Sequence, residues 1–184
     1  MSKIKIILIG VVVLVLLYGL FSYNGFVSKN EAVDNQWAQV ESQYQRRFDL
    51  IPNLVNSVKG AMAQEKAVFD SIAEARTRYS GATNVDEKAA AAGQVETSLA
   101  RLLAVMENYP TLKSIDTVNG LMAELSGTEN RISVERKRFN DSVRTLNVAT
   151  KTFPSNLIAK MFGFGERGYF ESAAGSENAP TVEF

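Results

Sequence analysis

IDTVNGLMAELSGTENRISVERKRFNDSVRTLNVATKTF, residues 115–153, is the stretch on which the fold turns. Ile115, Val118, Met122, Leu125, Glu129, Ile132, Arg136, Phe139, Val143, Leu146, Thr150 and Phe153 follow one another at alternating steps of three and four. That spacing lays every named residue on one face of an α-helix, whereas a strand needs a period of two. Pro154 closes the segment. At the other end the residue before Pro110 is pushed out of the helical region, so a helix is expected to start near Pro110 or Thr111.

The same period governs the chain upstream. Trp37, Val40, Tyr44, Phe48, Ile51, Val55, Val58, Met62, Glu65, Phe69, Ile72, Arg76 and Tyr79 form a stripe in which only the step from Tyr44 to Phe48 breaks the alternation. Read as one helix this is roughly 65 Å long. Pro52 lacks an N–H and crowds the carbonyl four residues back, so a kink or a restart is expected near 48–52. Ser80-Gly81-Ala82-Thr83 ends the stripe, and Asn84 with Glu87 three residues on is a capping-box-like start for the next helix. Val95, Leu99, Leu102 and Met106 supply that helix's apolar face, and Glu107-Asn108-Tyr109-Pro110 stops it. A short amphipathic turn, 155–162, follows the long third helix. The expected fold is therefore all-α, an elongated antiparallel up-and-down bundle of three long helices, or four if the first breaks at Pro52. The middle helix is about half as long as its neighbours. Without that break, apolar stripe would stay uncovered for another subunit.

In front of this body, residues 4–21 (IKIILIGVVVLVLLYGLF) are apolar and entered through Lys3 and Lys5. Eighteen residues at 1.5 Å each give about 27 Å, enough to cross the hydrocarbon core. Tyr18 and Tyr23 mark the far interface. No pair of small residues offers a signal-peptidase site and no Cys is present to take a lipid, so an uncleaved single span is expected. The Lys residues before it place the N-terminus in the cytoplasm and the bulk outside a bacterial inner membrane. The expected organisation is an anchor over 1–23, a hinge over 24–30 where Asn24, Gly25 and Asn30 weaken a helix, a helical body over 31–165, and a flexible tail over 166–184.

Composition narrows the chemistry. Twenty Lys and Arg balance twenty Asp and Glu, so no whole-chain field favours nucleic acid. With no His and no Cys, the chain has no Ser-His-Asp relay, no thiol nucleophile, no thiolate metal site and no Glu-x-x-His bundle-core centre. Gly163-Phe164-Gly165 lacks the flanking strand and helix of a phosphate loop, and no acidic cluster has calcium-loop spacing. No cofactor and no catalytic residue is expected.

Charges in unexpected places are the remaining signal. Glu65, Arg76, Glu129 and Arg136 occupy stripe positions where an apolar side chain belongs. They read as internal ion pairs that fix register, with Arg76 and Glu129 at similar height, or as a ligand pocket. Residues 131–160 carry seven Lys and Arg against Glu135 and Asp141, a solvated basic face or a contact for anionic headgroups or an acidic partner. The end, Val182-Glu183-Phe184, has the pattern of a tail that PDZ-type domains of a protease capture, or one that docks back on the bundle.

Several ordered motifs together resemble the LemA family: Tyr23-Asn24, then Arg46-Arg47 with Asp49-Leu50-Ile51-Pro52-Asn53-Leu54, Glu107-Asn108-Tyr109-Pro110, Thr128-Glu129-Asn130-Arg131-Ile132, Phe139-Asn140, Phe153-Pro154 and Tyr169-Phe170-Glu171. A Tyr would be more typical than Phe139. The resemblance covers nearly the whole chain. It implies an antiparallel bundle of long helices on a single-pass bacterial membrane protein, with no established activity, and links to membrane organisation, magnetosome membranes, envelope stress and membrane proteolysis. The residues themselves place Arg46, Arg47 and Asp49 around Pro52, with Glu107 and Asn108 at a turn nearby, as a polar clasp on a bent bundle. The expected function is a non-enzymatic membrane-anchored scaffold that self-associates in contact with lipid and organises membrane or envelope proteins. The alternative is an adaptor for an envelope protease or stress sensor.

Overall fold

A computed structural model describes residues 3–170, apart from the side chain of Lys113. The tail motif at Val182 and Phe184 and most of the tail over 166–184 lie outside the described residues. Those residues form five α-helices: α1 Lys3–Val58, α2 Lys66–Gly81, α3 Val85–Met106, α4 Asp116–Lys151 and α5 Ser155–Phe162, with a 3-10 turn at Pro110–Ser114. No strand occurs among the described residues. The helical class read from the period of three and four is what is seen.

One expectation about α1 is corrected and one alternative is decided. The segment 24–30 is not a hinge; α1 runs through it without interruption. Packing outweighs the weak local propensity of Asn24, Gly25 and Asn30: Phe26 is buried and stacked on Phe164 at 5.1 Å, and Val33 is buried. Pro52 does not end the helix either, since α1 continues to Val58. A helix-interior proline costs about 3 kcal/mol. Burial of Ile51, Leu54 and Val58 around it contributes about 1.5–3 kcal/mol each, which is enough to hold the helix together.

The break comes at 59–65 instead. Gly60 opens two short hydrogen-bonded turns, with Met62 N–H donating to Val58 O at 3.0 Å and Glu65 N–H to Met62 O at 3.0 Å. Met62 is fully buried within them. The turns reset the helical phase. Downstream the inward residues are Val68, Ile72, Ala75 and Tyr79, so Phe69 and Arg76 rotate toward the rim.

The chain divides into two compact units, and α1 and α4 contribute to both. In the unit formed by residues 40–134 and Phe170, the core gathers Val40, Tyr44, Phe48, Ile51 and Leu54 from α1 with Leu99, Leu102 and Met106 from α3 and Val118, Leu125 and Ile132 from α4. Tyr79 of α2 meets Phe48 edge-on at 4.3 Å. Asn84 caps α3 as its sequence predicts, its Oδ1 accepting from Glu87 N–H at 2.8 Å. The Glu87 carboxylate reaches back one residue further than a standard capping box, accepting from Thr83 N–H at 2.9 Å.

In the other unit, residues 3–39 and 135–169, Trp37 packs edge-on against Phe139 at 5.6 Å. Asn147 of α4 is buried and clasps the chain after α5 from both sides: it donates to Arg167 O and accepts from Arg167 N–H, each at 2.9 Å. Arg167 in turn bonds Asn30 and Asp34 of α1. Residues 4–21 of α1 are exposed nearly throughout, and α1 is the one described helix long and apolar enough to cross a membrane.

Candidate functional site

The polar residues of interest sit in the unit of residues 40–134, and they group around two places. The first is Arg47. Its side chain is 7 % exposed, buried on the inward face of α1 between Tyr44 and Ile51. Its Nη1 lies 2.5 Å from Glu129 Oε2 of α4 and 3.5 Å from Glu96 Oε1 of α3, so one cation joins three helices. A guanidinium removed from water needs such partners, because its desolvation is costly unless carboxylates face it. Arg46, one position round the helix, pairs with Glu124 of α4 at 2.7 Å, and both are exposed. That surface pair contributes little.

Glu129 therefore meets Arg47, where the spacing had placed it level with Arg76. Beyond the reset at 59–65, Arg76 lies at the rim, lining a cleft beside Tyr79. Arg46 and Arg47 each pair with carboxylates of neighbouring helices. Asp49 turns to its own helix and accepts from Gln45 Nε2 at 2.9 Å. Glu107 caps the C-terminus of α3 through its backbone, and the Glu107 and Asn108 side chains are exposed. Their neighbour Tyr109 makes the contact instead, its hydroxyl donating to Glu65 at 3.2 Å and joining the 59–65 turns to the turn after α3. Burial, with the Glu65 carboxylate added, holds the Tyr109 phenol above its ordinary value. Arg136 belongs to the other unit, half-buried and engaged. The seam charges thus do not come together as one cluster.

The second place is a cleft of about 260 Å³ lined by Glu41, Gln45, Phe48, Arg76, Tyr79, Ser80, Ala82 and Lys88. Lys88 of α3 forms an ion pair with Glu41 of α1 across it. Tyr79 is 7 % exposed, and its hydroxyl has no hydrogen-bond partner among the described residues. Burial pushes its phenol up to about 12, and the negative charge of Glu41 adds to the shift. A phenol held protonated that far above neutrality is no general base at physiological pH. The cleft can accept a small polar group but offers no nucleophile activated by a base. No group of three or more acidic side chains that could hold a metal occurs among the described residues.

The clue to Arg47 was present in the sequence. The upstream stripe departs from alternation only between Tyr44 and Phe48, and the position that strict alternation would fill there is 47. Tyr79 was assigned to the core, but its unpartnered hydroxyl had no sequence signal, because it depends on how α2 and α3 meet.

An apolar helix running directly into a helical body tied by internal ion pairs defines a membrane-associated helical protein. The LemA family model matches residues 36–184, and the chain belongs to that family. It is 28% identical to Magnetosome protein MamQ 2 of Paramagnetospirillum magneticum, over 83% of this chain and 65% of that protein. It is 30% identical to Magnetosome protein MamQ of Magnetospirillum gryphiswaldense, over 85% of this chain and 67% of the relative. The chain thus spans about two thirds of the length of these relatives. None of these names carries an enzymatic activity.

Proposed function

We propose that this protein is a non-enzymatic scaffold anchored by a single span, whose helical body is an antiparallel up-and-down bundle and which self-associates to organise the membrane or its proteins. The observation that carries this reading is the continuity of α1, one helix whose first part is apolar and exposed and whose second part lines a core. Antiparallel packing is supported between α2 and α3, where Ser71 meets Ser98 and Arg78 meets Gln94, so that numbers rise along one helix as they fall along the other. The magnetosome relatives support a place in membrane organisation. The span of residues 4–21 sits in the inner membrane with Lys3 and Lys5 on the cytoplasmic side. Protease accessibility in spheroplasts tests that topology, with the body digested from outside.

Self-association does not draw on a spare stripe of α4, because Val118, Leu125, Ile132, Phe139, Val143 and Leu146 are all buried within the chain. It rests on the exposed apolar face of the anchor, residues 4–21. Native mass measurement of detergent-solubilised protein is expected to give a multimer, and a strict monomer without membrane phenotype would count against the scaffold. A second reading, an adaptor for an envelope protease or sensor, is favoured by the charged cleft of Arg76 and Lys88. Deleting residues 175–184, or replacing Arg76 and Lys88, would abolish an adaptor and leave self-assembly intact.

A further inference from the structure

In the unit that holds the apolar segment of α1, most exposed large apolar side chains outside the span, Tyr23, Val27 and Val148 aside, lie in one place: Phe153 at 75 %, Leu157 at 54 %, Met161 at 73 %, Phe162 at 54 % and Tyr169 at 48 %. They lie on α5 and its flanks. Leu157 and Met161 are one helical turn apart and share a side of α5, and Phe153 lies in the turn just before the helix. The opposite side of α5 is already used: Ala159 is buried, and Ile158 Cδ1 lies 3.9 Å from where a Cβ on Gly19 would stand. Phe162 also meets Tyr23 edge-on, with ring centroids 4.9 Å apart. Gly19 and Tyr23 are the C-terminal border of the apolar segment of α1.

Position decides the occupant. An element packed against Gly19 and Tyr23 stands at the level where a span leaves the hydrocarbon. There an apolar face continuous with the lipid-facing side of the span meets acyl chains and headgroups. Lys160, exposed between Ala159 and Met161, can reach a phosphate while its stem follows the apolar face. We propose that α5, with Phe153 and Tyr169 beside it, is a second membrane contact, an interfacial helix lying in the headgroup and upper acyl region of the bilayer. The bonds of Arg167 to Asn30 and Asp34 and the stacking of Phe164 on Phe26 fix this contact to α1, so the protein grips the bilayer at two points of one unit.

The inference rests on residues 4–21 spanning the bilayer, and the test separates the two. Because the chain contains no Cys, single replacements can each carry one environment-sensitive nitrobenzoxadiazole label. Full-length Met161→Cys, Leu157→Cys, Leu14→Cys and Arg138→Cys variants are reconstituted in phosphatidylcholine–phosphatidylglycerol vesicles. Lipids bearing a spin-label quencher near the headgroup or deep in the chain are then added. Labels at 157 and 161 should emit blue-shifted light and be quenched by the shallow lipid at least about twofold more than the label at 138, as an inserted face requires. Leu14 should be quenched by the deep lipid. Quenching at 157 and 161 no greater than at 138, with Leu14 still quenched, overturns the interfacial helix and leaves the span standing. A blue shift without lipid quenching means that a second copy covers the face, which also overturns it. No quenching at Leu14 removes the span and the inference with it.

Discussion

Arg47 illustrates how much a single side chain can settle. Among the described residues it is the one cation buried in its unit's core, and its partners Glu129 and Glu96 come from two other helices. Breaking a buried pair from one side costs more than removing the pair, because the surviving charge keeps its desolvation penalty. Glu129→Ala is therefore expected to lower stability by about 2–3 kcal/mol, less than for a fully buried pair because Glu96 remains and Glu129 is half-exposed. Arg47→Met, which fills the same space without a charge, should cost less. Chemical unfolding of the detergent-solubilised protein compares them. Tyr79 gives a pH test. Its folded-state value of about 12 exceeds the ordinary phenol value, so its contribution is complete below pH 10 and is lost as pH rises from there through 12. Tyr79→Phe should flatten that alkaline loss. At neutral pH it should be neutral or slightly stabilising, by up to about 1 kcal/mol, since the hydroxyl is buried without a partner.

At the level of helices and turns, what the sequence revealed was local. Alternation of three and four found α3 and α4 and most of their buried faces, because each is one uninterrupted helix. The Asn84 cap was legible for the same reason: a side chain and an amide three residues on need nothing else. Asn84→Ala should cost about 1 kcal/mol and fray the first turn of α3 in hydrogen exchange. Thr83 N–H and hydroxyl hold the Glu87 carboxyl below its usual value, so the order it lends is present above that value and lost as pH falls through the lowered one. Misreadings arose where tertiary packing overrode propensity. Gly25 and Asn30 lie in a helix because Phe26 and Val33 are buried, and the step from Met62 to Phe69 looked continuous although two turns intervene. The partners of Glu129, Glu65 and Arg167 depend on helices meeting far along the chain, which no window of sequence records. Pro52→Ala restores an N–H to a helix that already persists there, and is expected to raise the melting temperature.

For the molecule as a whole, the clasp of Asn147 on Arg167 ties the last described stretch back to α4. Asn147→Asp keeps an acceptor for Arg167 N–H but turns a carboxylate toward Arg167 O. It should release residues 163–169, seen as faster amide exchange at Arg167 and easier proteolysis there, with a loss of about 1–3 kcal/mol. If α5 rests on the bilayer, the same variant should lower the quenching of a label at Met161 without affecting one at Leu14.

The absence of a joint in α1 has a mechanical side. A flexible tether lets whatever it carries spin freely above the bilayer, whereas an unbroken helix transmits torque. One alanine inserted between Phe21 and Ser22 would turn the segment below it by about 100° relative to the residues above. Seven added residues would nearly restore the original bearing while lengthening the shaft by about 10 Å. Activity that recovered with seven and failed with one would show that azimuth, and not mere attachment, is what the cell reads.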